Sequence, residues 1–405
     1  MTDHHDPTTP LAGVRVLDLS RMLPVGALTQ LLADLGAEVV KVERPGAGEE
    51  SRGHGPAVAG TTATHAFLDR GKRSVALDLK DPRGVRAVHA LAAACDVVVE
   101  SFRPGVADRL GVGWDDLRTV NPRLVYCSVN GYGTGGPREQ EPGHDLNYLA
   151  YAGATGFGGS RAHGPAVGGI QTADLLGGLT GGIGLLAALV AVRAGAPGRR
   201  VEVGLADAAL WALGLHVSGW LAGGGAEGPE ATTVTGASAS YRVYACADGR
   251  HLAVGAVEPQ FWAAFTDVIG RPDLRTRQHD PAAVDEVAAA VATRTLAEWQ
   301  EALGDRETCA GPVQDFAEVR DDPQFRARGM LVPVPGDPGV EQVGTPVRLD
   351  GRTRHPDRPA APAVGQDTST VLAACDVDDD VRAAALRWAS GRPADALPEL
   401  QEDPA

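Results

Sequence analysis

From residue 14 the chain alternates short β-branched runs with stretches of helical period. VRVLDL (residues 14–19) and EVVKVE (38–43) enclose ALTQLLADLG, whose apolar positions recur every three or four residues, so the pattern predicts strand, helix, strand. SVALDL (74–79), VVVES (97–101) and LVYCSV (124–129) predict three more strands, with the helix-like PRGVRAVHALAAAC between the first two. Strands alternating with helices at this spacing point to an α/β fold with a parallel sheet covered on both faces. Residues 175–192 run 18 positions without a charge, the lower edge of a membrane span, but five glycines dilute the run and Asp174 and Arg193 bracket it. A buried helix whose glycines admit a neighbouring backbone is the expectation.

Beyond RRVEVGLADAAL a helical stretch reaches about residue 221. The Gly/Ala/Thr-rich residues 222–240 then read as a linker between a large domain (1–221) and a small one (241–331). The small domain opens on YRVYACADGRHLAVGAV, two strand-like runs about an Ala-Asp-Gly turn, followed by helices near 259–269 and 282–303. A C-terminal segment, 332–405, is rich in Pro, Gly, Asp and Arg, with a last helix near 381–390.

Composition narrows the function. The 405 residues carry 37 Lys and Arg against 52 Asp and Glu, a net charge of −15 with no basic run, which argues against nucleic acid or an anionic membrane as partner. An anionic small ligand stays possible through a local basic cluster. Five cysteines, never spaced C-x-x-C, point away from disulfides and structural zinc and towards a reducing cytoplasm. The polar, acidic N-terminus predicts no signal peptide. Glycine, 52 of 405 residues, is nearly twice the usual ~7%. GYGTGG (131–136) matches half of a dinucleotide fingerprint, yet Pro137 and the charged REQEPG follow it, so no helix opens there to receive a pyrophosphate. The motifs G-x-S-x-G, GxxxxGK[ST] and H-E-x-x-H do not occur.

Two ionisable segments remain, PGHDLNY (142–148) and QTADLLGG (171–178). His144 is suited to proton exchange near neutrality, and Asp145 and Asp174 could share its cleft. On spacing alone the plainer reading is favoured, with His144-Asp145 capping one helix and Asp174 an N-cap to the apolar helix.

At these residues the sequence resembles the family III CoA-transferases (the CaiB/BaiF group), and within them most the α-methylacyl-CoA racemases. The matching segments are LAGVRVLDLSRMLP, LLADLGAEVVKVERPG, RGKRSVALDLKDPRG, VVVESFRPGVADRLGVG, NPRLVYCSVNGYGTGGP, GHDLNYLAYAG, ADLLGG, YACADGRHLAVGAVEPQF and CAGPVQDFAEV. The resemblance implies a large Rossmann-like domain with a parallel sheet, a smaller α+β domain, a C-terminal segment returning to the large domain, and an interlocked homodimer. It implies an acyl-CoA thioester as substrate, with no resident cofactor, no metal and no membrane insertion. A histidine before the aspartate marks the racemases, so His144 and Asp174 are expected to exchange the α-proton of a 2-methyl-branched acyl-CoA through an enolate by 1,1-proton transfer. Glu258 would support the histidine, Asp145 would align the thioester, and the Gly143–Asp145 turn would offer oxyanion donors. The alternative is a CoA-transferase in which Asp145 forms an acyl anhydride. For CoA the resemblance implies Arg44, Ala76, Leu77, Asp78, Leu79, Glu100, Ser101, Phe102 and Arg103, and around the catalytic turn Gly143, Leu146, Asn147 and Tyr148.

Overall fold

A computed structural model describes residues 9–225, 228–350, 352–353 and 359–391. The chain divides into two compact units, one of residues 1–148, 171–209 and 323–405, the other of 149–170 and 210–322. Residues 210–221, read from sequence with the large domain, thus fall with the second unit.

The first unit is built on six parallel strands: β1 (Arg15–Asp18), β2 (Glu38–Glu43), β3 (Arg73–Ala76), β4 (Val97–Glu100), β5 (Val125–Asn130) and β6 (Arg199–Gly204). They lie in the order β3-β2-β1-β4-β5-β6. β4 and β5 are buried along their whole length, which is why Val, Tyr and Cys dominate them, with Glu100, Ser128 and Asn130 the polar positions towards their carboxyl ends. The sequence pattern does not predict β6. Helix α1 (Leu23–Asp34) follows β1, α2 (Pro82–Ala93) follows β3, and α3 (Asp145–Tyr151) and α4 (Thr172–Arg193) lie between β5 and β6. Asp81 caps α2 by accepting the Arg83 N–H, with Pro82 at the first position.

α4 contains the long apolar run, and its length and composition alone would suffice to cross a membrane. Its glycines face protein instead. A Cβ on Gly178 would run into the Pro24 carbonyl oxygen of α1, one on Gly182 into Leu28, and one on Gly177 into Leu205. The glycines let α4 press backbone-close against α1 and the sheet.

The second unit carries its own core. β7 (Tyr241–Ala245) and β8 (His251–Gly255) form the expected hairpin, and β9 (Ala310–Pro312) adds to β8. Helices α5 (Pro259–Val268), α6 (Ala283–Val291) and α7 (Leu296–Leu303) bury Trp262, Phe265 and Trp299 against them. The final helices, α8 (Thr368–Ala373) and α9 (Asp379–Ala389), belong to the first unit. Val371, Leu372, Val381 and Trp388 share a core with Val75, Val88 and Leu91, and Thr368 Oγ1 accepts the Ala76 N–H at 3.1 Å.

Candidate active site

The strand order reverses direction between β1 and β4, and open parallel sheets bind ligands at such a switch point, outside the carboxyl ends of the strands. Here the loops that follow β1, β4 and β5 line a cavity of about 350 Å³, whose walls include Arg21, Ser101, Phe102, Arg103, Asn130 and Tyr148. The β1 loop is tied down by buried charge. Lys41 pairs with Asp18 at 3.4 Å and Glu49 at 3.2 Å and donates to the Ser20 carbonyl at 2.6 Å, while Lys72 pairs with Asp18 and Asp69. Burial pushes the Asp18 carboxyl up, but Lys41 and Lys72, with the Ser20 and Thr29 hydroxyls, outweigh it and hold the group well below the usual carboxylate range. The Met22 N–H donates to Glu49 at 2.9 Å and the Arg21 N–H to Ser101 Oγ at 2.9 Å. Met22 sits at φ 58°, ψ −155°, a region that only glycine adopts without strain. The network holds this strained turn, and the turn delivers Arg21 to the cavity.

The opposite wall rests on Tyr148, which is buried. Its hydroxyl donates to the Gly143 carbonyl at 2.6 Å, and its ring meets Tyr132 edge-on at 5.1 Å between centroids. Gly131 and Gly143 make room for the ring, since a Cβ on either would come within 2.7 Å or 2.6 Å of Tyr148. That is the work of the GYGTGG segment. No helix opens after it, so it is a turn, as the proline that follows it implies.

Two carboxylates stand beside this wall. Asp174 lies in the first turn of α4, and its N–H donates to Asp145 Oδ1 at 3.1 Å, so Asp145 satisfies one of the amides that α4 leaves without a partner. Asp174 is itself half-buried. Burial first, and the Asp145 charge second, push its carboxyl up to about 6, against a smaller downward pull from His144. Burial, then Asp174, likewise raises the Tyr148 phenol to about 12. Asp174 is thus coupled electrostatically to Tyr148 and by hydrogen bond to Asp145, although neither carboxylate is among the residues that line the cavity.

The residues expected from the sequence separate into groups. Ser101, Phe102, Arg103, Gly143 and Tyr148 line the cavity, and Glu100 lies buried behind it, accepting the Phe102 N–H at 2.7 Å. Arg103 and Arg44 are exposed and form no ion pair among the described residues. The Glu43 and Asp18 carboxylates that could have held Arg44 are engaged by Arg52 and by Lys41 and Lys72. Six of the residues expected to contact CoA or substrate are placed outside the lining of this cavity. Ala76 and Leu77 cannot present their amides to a nucleotide, because these donate to Thr368 and to the Glu43 carbonyl and both residues are buried. Asp78 and Leu79 do not line the cavity: Asp78 caps the Lys80 N–H and Leu79 packs on the core. Leu146 and Asn147 also stand outside it, Leu146 exposed and Asn147 accepting the His144 N–H at 3.1 Å. That bond removes the His144 amide from the expected oxyanion donors. His144 itself is exposed, and Glu258 belongs to the second unit, at the N-cap position of α5. Arg21, Asn130 and Tyr132 were not anticipated. Their position at the carboxyl ends of β1 and β5, in the segments that line the cavity, is the signal that could have found them.

The whole chain has informative relatives. The family model for CoA-transferase family III matches residues 11–368. An acetyl-CoA:oxalate CoA-transferase of Acetobacter aceti is 34% identical over 89% of this chain and 94% of its own length, and a succinyl-CoA:glutarate CoA-transferase of Mus musculus is 32% identical over 91% and 86%. Among solved structures, a CaiB/BaiF family protein from Brucella suis superposes with a TM-score of 0.78 at 28% identity, covering 90% of this chain and 99% of that one. Rv3272 from M. tuberculosis gives 0.76 at 30% over the same shares. These named relatives are transferases, and they overturn the expectation of a racemase-like isomerase. That expectation rested mainly on His144, with Asp174 and Glu258 in support, whereas the similarity to transferases extends over about nine-tenths of the sequence. With the switch-point cavity and the full-length match in agreement, the chain belongs to CoA-transferase family III.

Proposed function

We propose that this protein moves CoA from an acyl-CoA thioester to a free carboxylic acid, with Asp174 as the nucleophile. The observation that carries the reading is the asymmetry of the two carboxylates. Asp145 is engaged at the start of α4, while Asp174 is half-buried with its carboxyl raised to about 6, which leaves it mostly ionised at neutral pH yet more basic than an ordinary aspartate. Sequence resemblance suggests Asp145 for this role.

The Asp174 carboxylate attacks the thioester carbonyl. The C–S bond breaks, giving an aspartyl–acyl anhydride and CoA thiolate. The thiolate then attacks the aspartyl carbonyl, which releases the first acid and leaves CoA as a thioester on Asp174. The incoming carboxylate attacks that thioester, forms a new anhydride and expels the thiolate. Attack of the thiolate on the new acyl carbon yields the product thioester and restores Asp174, so atoms and charge balance around the cycle. Arg103, exposed and without an ion pair among the described residues, supplies positive charge at the cavity for anionic substrates, whereas the Arg21 guanidinium is already paired with Glu50. The relatives' names point to small dicarboxylic acids such as oxalate or glutarate as acceptors.

The test is to supply acetyl-CoA or succinyl-CoA with oxalate or glutarate and follow the CoA products. Hydroxylamine added during turnover should convert Asp174 to a hydroxamate, seen as a mass shift on its peptide. Asp174→Asn should abolish transfer, and Asp145→Asn should slow it. Modification of Asp145 instead would move the nucleophile there, and failure to transfer CoA to any carboxylic acid would sink the reading.

A further inference from the structure

We infer that Asn130 is a substrate-binding residue, its Nδ2 donating to a carbonyl or carboxylate oxygen of the molecule that fills the switch-point cavity. The inference rests on the reading of this cavity as the CoA-transfer site.

Asn130 ends β5, is only 5% exposed, and lines the cavity with Ser101, Arg103 and Tyr148. Its amide cannot be turned round. The Gly133 N–H donates to Oδ1 at 2.7 Å, and an N–H needs an acceptor, so oxygen faces the 131–133 turn and Nδ2 faces away from it. Among the described residues Nδ2 has no hydrogen-bond partner. Buried amide donors in folded proteins are nearly always paired, because leaving one unmade costs folding free energy. The turn needs only the oxygen, which an aspartate would supply equally well. What asparagine adds is a pair of amide hydrogens at a carboxyl end of the sheet where such folds bind ligands. Two sources offer a matching sp² oxygen: the carbonyls of the acyl-pantetheine arm and the carboxylate of the acceptor acid.

Asn130→Asp separates the two halves of the side chain, since it keeps the acceptor for Gly133 and deletes the donor. Asn130→Ser, which stays uncharged, is the second variant if the first does not fold. Affinity for CoA and for acetyl-CoA is measured by titration calorimetry, and KM for oxalate in the transfer assay, beside the thermal midpoint. The expected result is an unfolding midpoint near that of the wild type with roughly tenfold or greater loss in one arm. Loss of CoA or acetyl-CoA affinity assigns the thioester arm, and a raised KM for oxalate alone assigns the acid. At low pH the new carboxyl of the Asn130→Asp variant takes up a proton and regains a donor, so its defect should shrink, which a purely structural role would not produce. All three constants within about twofold of wild type in a folded variant overturn the inference. A wild-type protein that binds no CoA overturns the functional reading itself, and the inference with it, and is recognised before any variant is compared.

Discussion

Asp174 is where chemistry and stability oppose each other. Its carboxyl has an ordinary value of 3.8 and is raised to about 6 in the folded chain, chiefly by burial and then by Asp145. Between those values the folded state binds more protons than the unfolded one, so stability falls as pH rises through the window and stays lower above it. Asp174→Asn removes that penalty. Its thermal midpoint should exceed the wild type's at pH 7–8, and the difference should vanish below about pH 4; a variant less stable than wild type at pH 8 would contradict this. Activity runs the other way, since only the ionised carboxylate attacks a thioester, and kcat/KM of the wild type should climb with pH through about 6. The sequence made these carboxylates visible as ionisable residues in glycine-rich segments. His144 drew too much weight there, because a histidine's protonation role depends on the groups around it, and its N–H and exposure are properties of the folded turn. Asn130 and Arg21 were invisible for the same reason: a polar residue becomes a candidate only when folding leaves its donor unmatched or turns it into a cavity.

At the level of elements, the glycines of α4 set where Asp174 stands. Gly178 lies one turn beyond Asp174 and meets the Pro24 carbonyl of α1. Gly178→Ala would gain about 1 kcal/mol of helix propensity. It would also force two helices apart against backbone rather than against a side chain that can rotate, and overpacking of that kind costs about 1–3 kcal/mol. The clash should win, lowering the midpoint by several degrees and reducing transfer as Asp174 shifts. Leu179→Ala on the exposed side of the same helix should do little to either. A Gly178→Ala midpoint at or above wild type would show that α1 yields. Five strands were legible because buried parallel strands are runs of β-branched residues. β6 was not, since it is an edge strand, and Arg199, Arg200 and Glu202 interrupt its apolar positions.

On the scale of the molecule, the first unit is completed by chain that is nearly three hundred residues away from the strand it covers. β3 is the edge of the six-stranded sheet opposite β6, and α8 and α9 seal it: Asp367 accepts the Ser74 N–H, Thr368 accepts that of Ala76, and Trp388 is 2% exposed in the same core as Val75 and Leu91. In a tail rich in proline and charge the residue pattern showed only the last helix, and its return to the first unit was implied by the family resemblance alone, because four apolar anchors over twenty residues look sparse until their partners are known. Replacing Trp388 by alanine deletes the largest of those anchors, and truncations of this size in a packed core cost about 3–5 kcal/mol. The second unit has separate tryptophans, Trp262 and Trp299, in a core to which no residue of α8 or α9 contributes. Hydrogen exchange on Trp388→Ala should therefore accelerate in β3, α2, α8 and α9 while the amides of α5 and α7 keep their wild-type protection. Equal acceleration in both cores would mean that the two units unfold as one cooperative block. Protection unchanged in β3 would mean that the sheet edge holds without its C-terminal cover.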